Sequence, residues 1–354
     1  MTFRKLLYFR FFQVDGNPHQ KESQRMTPFR RTAMGCVLLI ALALAPMATA
    51  ASGPDVPSPA ALAEFQTGNF RAASETLEAA LRREPTNAGA VLLLARSYYE
   101  MGNWDRAAAA AESAVRLDPS SAENHLWLGQ AYGRQAERDR SLSLALKTRR
   151  EFEKAVDLAP TNIDARRNLM QFYLEAPWIV GGSKEKARKQ MEAIASLDPV
   201  EGELARARFD RSTGKQAAAA AEYRAVLNSK PNRVGPYIEA ADFYVASRDD
   251  SGLNLAVEGA EAVNPADVRL QYYRGVARVL EGQRLAQAER DLKSYAAHAP
   301  RRDDPSRASA LSWLGQLYER WGESHLAMLE YQAALQLDPN ILLARQSLAR
   351  LKGN

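Results

Sequence analysis

Eight prolines divide most of this 354-residue sequence into units of similar length. Because proline cannot continue a helix, each of them marks a helix end at the same point of a repeating unit. A chain of this length seldom forms one compact core, so the sequence predicts a modular helical array. The prolines are Pro85, Pro119, Pro160, Pro199, Pro231, Pro265, Pro300 and Pro339, separated by 34, 41, 39, 32, 34, 35 and 39 residues. We number the units by the proline that closes them, from unit 1 (Pro85) to unit 8 (Pro339).

Small and large residues alternate in the same way within the units. A glycine or alanine in a first helix lets a second helix approach closely, and large residues three or four positions away fill the groove between them. Unit 8 reads Leu311-x-x-Leu314-Gly315-x-x-Tyr318 and then Ala327, Tyr331 and Ala334, and unit 2 reads Val91-x-x-Leu94-Ala95-x-x-Tyr98 and then Ala107, Ala111 and Ala114. With a period near 34 residues, this pattern resembles the tetratricopeptide repeat.

The resemblance covers residues 54–354 and implies an all-α fold. The expected architecture is a right-handed superhelical solenoid of about eight helix–turn–helix repeats, in which Gly68, Gly102 and Gly322 lie in left-handed turns between paired helices. In unit 6, Arg248 and the two aspartates after it replace the turn glycine. The segment Ile341 to Leu351 carries leucines at helical spacing and is expected to be a C-terminal capping helix.

Two adjacent units, at about residues 122–199, are longer than the others. Unit 3 lengthens both of its helices at their hairpin end, around Leu142, Leu144 and Leu146, and unit 4 inserts residues 175–182 between its helices. Pro177 and a glycine pair leave Trp178, Ile179 and Val180 on this inserted loop. We expect these apolar residues to be buried against the neighbouring lengthened helices, with Trp178 and Ile179 facing the three leucines; the alternative is an exposed tip that binds a partner.

The first fifty residues differ from the rest of the chain. From Met26, the basic pair Arg30-Arg31, an uncharged apolar run and Ala48-Thr49-Ala50 have the order of a secretory signal peptide that is cleaved after Ala50. Residues 1–25 add nothing to such a signal, so we interpret them as an over-extended N-terminus and residues 26–50 as the signal peptide. The alternative is a retained membrane anchor, although the apolar run is shorter than the roughly 20 residues that span a bilayer.

Charge and composition exclude several classes of function. Seven basic and two acidic residues lie in residues 1–50, which leaves 47 − 7 = 40 basic and 42 − 2 = 40 acidic residues in the remainder. This zero net charge argues against a nucleic-acid partner. The four histidines lack metal-ligand spacing, and the only cysteine is Cys36. We therefore predict no metal, no cofactor and no enzymatic activity, and no stretch outside the repeats exceeds about twenty residues, which leaves no room for a catalytic domain.

In tetratricopeptide arrays the first helices line a concave groove that takes a protein or peptide partner. The side chains expected there are those one position after the small residue and those a turn to either side. This selects Arg96, Tyr99, Leu126, Gln130, Arg167, Gln171, Ile238, Asp242, Gln316 and Glu319. The set holds only two arginines, two units apart, which argues against a clamp for a C-terminal carboxylate.

The sequence thus predicts an exported, non-enzymatic scaffold that binds protein or peptide partners, in the periplasm or secreted, with a role in envelope assembly. Membrane association is expected only if the N-terminal segment is retained. The alternatives are an inner-membrane anchored subunit of an envelope export or biogenesis complex, and an enzyme whose site carries no recognisable motif.

Overall fold

The computed structural model describes residues 57–298, 301 and 304–353. The predicted over-extended N-terminus, the signal peptide and its cleavage site after Ala50 lie outside the described residues. Within the described part the chain forms helices and no strand.

Every predicted unit is a pair of helices that pack against each other and against the next pair. The pairs are α1 (Pro59–Gln66) and α2 (Phe70–Leu81), α3 (Ala88–Glu100) and α4 (Trp104–Leu117), α5 (Ala122–Asp139) and α6 (Leu142–Leu158), α7 (Ile163–Glu175) and α8 (Lys184–Leu197), α9 (Pro199–Ser212) and α10 (Gln216–Asn228), α11 (Val234–Ser247) and α12 (Asp250–Val263), α13 (Arg269–Glu281) and α14 (Leu285–Ala297), and α15 (Arg307–Arg320) and α16 (Ser324–Leu337). A last helix, α17 (Leu342–Gly353), covers α15 and α16 as the predicted cap. The fold is an all-α solenoid, as the sequence predicted.

Local side-chain chemistry sets the helix boundaries. The second helix of each unit ends two to four residues before its closing proline. Most of the next helices begin at a capping side chain that accepts a hydrogen bond from the third residue of the helix, as Asn87 does from the Ala90 amide (2.9 Å) and Asn162 from the Ala165 amide (3.0 Å). Unit 5 departs from the others because α9 starts on Pro199 itself, capped by Asp198.

The turns inside the helix pairs follow the prediction. Gly68, Gly102 and Gly322 have φ angles of +80°, +74° and +78°. In unit 6 the left-handed position is occupied by Arg248 with a φ of +58°, and Asp249 caps the next helix. A residue other than glycine therefore terminates α11 in the same backbone conformation.

The core consists of three hydrophobic clusters that follow one another along the array, and its close packing depends on small residues of the first helices. A Cβ atom on Gly129 would lie 2.6 Å from the Phe152 ring of α6, and one on Gly315 would lie 2.5 Å from the Tyr331 ring of α16. Both rings are fully buried. The helices of a pair therefore approach as closely as a glycine allows.

Gly129→Ala should lower the free energy of unfolding by about 1–2 kcal/mol, because displacing Phe152 costs more than the gain in helix propensity. Gly235→Ala is the matched control, since nothing lies within 4 Å of its added Cβ and α11 should gain stability. Urea denaturation of the two variants measures the difference. Equal effects at the two positions would contradict the close-packing interpretation.

The array curves so that units far apart in the sequence come into contact. The guanidinium of Arg301, between α14 and α15, donates a hydrogen bond of 2.8 Å to the Gln66 carbonyl oxygen at the end of α1. Arg248 reaches over unit 7 to the Gln316 amide oxygen on α15 (2.7 Å), and its guanidinium lies 5.3 Å from the centre of the Trp313 ring. The inner faces of the first helices are therefore enclosed by neighbouring units.

Candidate functional site

The first helices α3 to α15 present the ten side chains that the sequence placed in the groove. Four of them are partly exposed: Arg96, Asp242, Gln316 and Glu319. The other six are buried between units: Tyr99, Leu126, Gln130, Arg167, Gln171 and Ile238. The inner face is therefore closely packed, and most of its polar groups contact other residues of the chain.

Arg96 and Arg134 form an arginine–aromatic cluster at the N-terminal end of this face. The Arg96 guanidinium lies 5.1 Å from the Phe65 ring centre and 4.9 Å from that of Trp127, and burial lowers its pKa. Arg134, which the sequence analysis did not select, donates a hydrogen bond of 2.9 Å to the Tyr99 hydroxyl. Cation–π contacts of this kind fix the planes of both guanidinium groups.

A buried ion-pair chain crosses the inner faces of units 4 to 6. Arg167 donates hydrogen bonds of 2.6 Å to the carboxylates of Asp164 and Glu201, and Arg233 donates a third bond of 3.0 Å to Glu201. Burial alone would raise the pKa of Glu201, but the attraction of Arg167 and the other arginines outweighs it and lowers that pKa. The Arg167 guanidinium therefore serves structure and is not free to clamp a partner's carboxylate.

The next unit continues the chain of charges. The Arg208 side chain on α9 is buried and pairs with Glu239 on α11, whose carboxylate also accepts a hydrogen bond of 3.2 Å from the Tyr223 hydroxyl. Arg208 directly follows the small residue Ala207, and the residue at this position was assigned to the groove in other units. This spacing was the signal that could have selected it from the sequence.

Gln171 and Glu175 bring a protonatable group to the inner face of α7. The Gln171 amide donates a hydrogen bond to the Glu175 carboxyl, one turn further along the helix. Burial raises the pKa of Glu175 to about 8, a shift that the Gln171 bond and the charge of Arg211 only partly oppose. Glu175 is therefore mostly protonated at neutral pH.

The remaining predicted groove residues also bind within the chain. Asp242 accepts a hydrogen bond of 2.7 Å from the Tyr273 hydroxyl, and burial raises its pKa to about 6. Glu319 accepts hydrogen bonds from Tyr331 and from Arg350 of the capping helix. Leu126 and Ile238 belong to the hydrophobic core. Contact of any of the ten residues with a partner stays a prediction.

Unpartnered polar atoms follow the inner faces of four consecutive units. In the described part of the chain, these buried atoms have no hydrogen-bond acceptor or donor: Arg96 Nε on α3, Gln130 Oε1 on α5, Arg167 Nε and Glu175 Oε2 on α7, and Arg208 Nη1 on α9. Buried polar groups are nearly always paired in folded proteins, so a row of five is unusual. The row supplies three guanidinium donors, the Gln130 oxygen as an acceptor, and Glu175 Oε2, which is a donor while that carboxyl is protonated.

The inserted loop of unit 4 corrects the packing prediction. Residues Trp178–Val180 form one turn of 3₁₀ helix in which Trp178 is 83% and Ile179 55% exposed. The expected burial is confirmed for Val180, which occupies the core position beside α6 and Leu144. It is wrong for Trp178 and Ile179, which do not pack into the core against Leu142, Leu144 and Leu146. In so short a turn only one of three successive side chains can point inward, and the other two project outward.

No group of three or more histidine, cysteine, aspartate or glutamate side chains in residues 57–298, 301 and 304–353 is placed to hold a metal ion. His125 is buried, and its ring nitrogens lie 2.6 Å from a Glu151 carboxylate oxygen and 3.0 Å from the Pro119 carbonyl oxygen. None of the helices described here has the length and hydrophobicity to span a membrane.

Comparison with known proteins agrees with this architecture. Family models described as tetratricopeptide repeat match residues 59–122, 92–163 and 308–341. No curated protein sequence matches the chain significantly. Among solved structures, the human IFIT1 dimer with m7Gppp-AAAA is 17% identical, with a TM-score of 0.52 over 83% of this chain and 70% of that chain. A chain of the APC/C hetero-tetramer Cut9-Hcn1 is 16% identical, with a TM-score of 0.50 over 80% of this chain and 52% of that one.

The repeats, their packing and the family matches define the class of this protein as a helical-repeat scaffold. The chain contains tetratricopeptide repeats at residues 59–163 and 308–341, and its other units are built from helix pairs of the same kind. The solved structures share its fold at low sequence identity. Proteins of this class serve in general as surfaces for protein–protein interaction.

Proposed function

We propose that this protein is an exported scaffold that binds an extended segment of a partner protein along the inner faces of units 2 to 5. The observation that supports the proposal is the row of unpartnered polar atoms from Arg96 on α3 to Arg208 on α9, which neighbouring side chains cover in the free protein and which a partner reaches when those side chains move aside. An extended peptide presents alternating N–H donors and C=O acceptors, and a row that holds both types of group complements it.

The ion pairs next to this row support the same function. Arg167 and Arg208 are held by Glu201 and Glu239, so their positions are fixed before a partner arrives. Fixed groups lose little conformational entropy on binding, which favours affinity for a polar peptide backbone. Because the charges are paired, a neutral peptide suits this surface better than a strongly acidic one.

Panning a library of random peptides against the purified protein tests the groove. Selected peptides should bind the double variant Arg96→Met, Gln130→Met on the order of tenfold more weakly, since each substitution removes an unpartnered polar atom at similar volume. Gln332→Met, on the exposed face of α16, is the matched control and should leave the affinity unchanged. Peptides that bind both variants with the original affinity would exclude the inner face as the site.

Export is proposed from residues 26–50 alone. N-terminal sequencing of the protein isolated from its host should begin at Ala51, in a periplasmic or secreted fraction. An intact N-terminal segment in a membrane fraction would instead favour the anchored subunit of an envelope complex. A full-length product in the cytosol would contradict both.

The scaffold is proposed to act without nucleic acid, because residues 51–354 hold equal numbers of basic and acidic side chains. In a gel-shift titration neither DNA nor RNA should bind at about 1–10 µM protein in moderate salt. Salt-sensitive retardation in that range would overturn this part of the proposal.

A further inference from the structure

The inserted turn of unit 4 holds two large apolar side chains in solvent on a rigid base. Below them, Val180 is buried and its carbonyl oxygen accepts a hydrogen bond of 3.1 Å from the Arg149 guanidinium of α6. The Ser183 amide donates a bond of 2.8 Å to the Tyr173 carbonyl oxygen, which closes the loop onto α7. The exposure of Trp178 and Ile179 is therefore a property of an anchored turn.

Further apolar side chains lie at the same end of the neighbouring unit. Leu142 and Leu146 are 43% and 37% exposed, and they are one helical turn apart in the first two turns of α6, the helix against which the inserted turn packs. We call Leu142, Leu146, Trp178 and Ile179 the apolar tip. The two longest helices of the described chain, α5 and α6, lengthen this hairpin end of unit 3.

Basic residues outnumber acidic ones in the segments that carry the apolar tip. Residues 139–150 and 177–190 hold eight basic residues against two acidic residues, Asp139 and Glu185, although residues 51–354 as a whole are neutral. The basic residues are Arg140, Lys147, Arg149, Arg150, Lys184, Lys186, Arg188 and Lys189. Four of the nine lysines after residue 50 are among them, in the first turns of the two helices that begin at this end.

We propose that the apolar tip inserts into the interface of a bilayer that contains anionic phospholipids, with the basic side chains of these segments on the lipid headgroups. A fluid bilayer can close around apolar side chains that stand exposed on a turn. Tryptophan favours the depth of the headgroups, where its ring is dehydrated and its N–H stays near water. Each lysine or arginine near an anionic surface strengthens binding by about fivefold.

This contact would be peripheral and reversible. Four apolar side chains and a cluster of charges anchor a protein weakly, and raised salt screens the charges within a Debye length. The contact needs no retained N-terminal segment, in contrast to the expectation from the sequence. It also leaves the row of polar atoms on the inner face to a peptide partner.

Vesicle sedimentation tests the proposal with the purified protein. We expect binding to phosphatidylcholine vesicles with about 30% phosphatidylglycerol, loss of that binding in about 500 mM salt, and none to phosphatidylcholine alone. Trp178→Ser with Ile179→Ser should weaken binding on the order of tenfold, and Lys184→Gln with Lys186→Gln by a similar factor. Absence of binding to the anionic vesicles, or equal binding to both lipid compositions, overturns the proposal.

Two controls separate insertion from damage to the fold. Trp321→Ser replaces a tryptophan that is 40% exposed at the end of α15, far along the chain from the apolar tip, and should bind vesicles as the original protein does. The Trp178 variant should unfold at an unchanged temperature, because its side chain makes little packing contact. If the Trp178 variant is stable and still sediments with anionic vesicles, the tip is not the lipid contact. If this variant instead loses the ability to bind a protein partner, the tip is the contact for that partner.

Discussion

Glu201→Gln should lower the free energy of unfolding by about 3 kcal/mol, the largest loss we expect from a single charge. The substitution keeps the shape of the side chain but removes the negative charge that Arg167 and Arg233 share. Arg167 is 5% exposed, so its guanidinium would stay in the protein interior with only Asp164 to balance it. Urea denaturation measures the loss, and hydrogen exchange should localise it to residues 163–212, since damage in a solenoid spreads mainly to neighbouring units.

Two matched variants test this explanation. Asp105→Asn removes the exposed partner of Arg138 (2.8 Å) and should leave the free energy of unfolding almost unchanged. Replacing Arg167 and Glu201 together by methionine should recover much of the lost stability, because no unpaired charge is then buried. A double variant as unstable as Glu201→Gln would show that packing, and not charge balance, accounts for the effect.

Glu175→Gln should stabilise the protein by about 4 kcal/mol at pH 8 and hardly at all at pH 4. Burial raises the pKa of Glu175 from its usual value near 4.5 to about 8, so the folded chain binds this proton more tightly than the unfolded chain does. Between these two pKa values unfolding releases the proton, and stability must fall as the pH rises. The glutamine variant cannot lose a proton there and should lack that part of the decline.

Thermal unfolding from pH 4 to pH 8 provides the measurement. Glu185→Gln changes an exposed glutamate of α8 and should leave the pH profile of the original protein in place. If the stability of Glu175→Gln falls with pH in parallel with that of the original protein, the proton that is released on unfolding belongs to another group. Asp242, whose pKa is also raised, would then be the next group to replace.

The fold was predictable because its determinants are local. Prolines and capping side chains act on the backbone within a few residues, so the ends of α4, α6 and α8 could be placed from Pro119, Pro160 and Pro199 alone. Even the turn without a glycine was identified, because Arg248 is followed by a strong capping residue. The small residue of each first helix was found for the same reason, since its partner helix is next in the chain.

The candidate site was predictable only in part. The groove rule selected Arg96, Gln130 and Arg167, which carry unpartnered polar atoms on the inner face. It missed Arg208 and Glu201, because the pattern in unit 5 is weak and their partners lie 31 and 34 residues away. Pairing at that distance depends on how one unit stacks on the next.

The sequence by itself determined the repeat, the helix boundaries, the class of protein and the lengthened units 3 and 4. Only the tertiary structure decided which side chains remain accessible to a partner. Arg167, which the sequence placed in the groove, is buried in an ion-pair chain. Trp178, which the sequence suggested to be buried, is exposed to solvent. The physical reason is that backbone conformation depends on near neighbours along the chain, whereas burial depends on the surface that the adjacent unit presents.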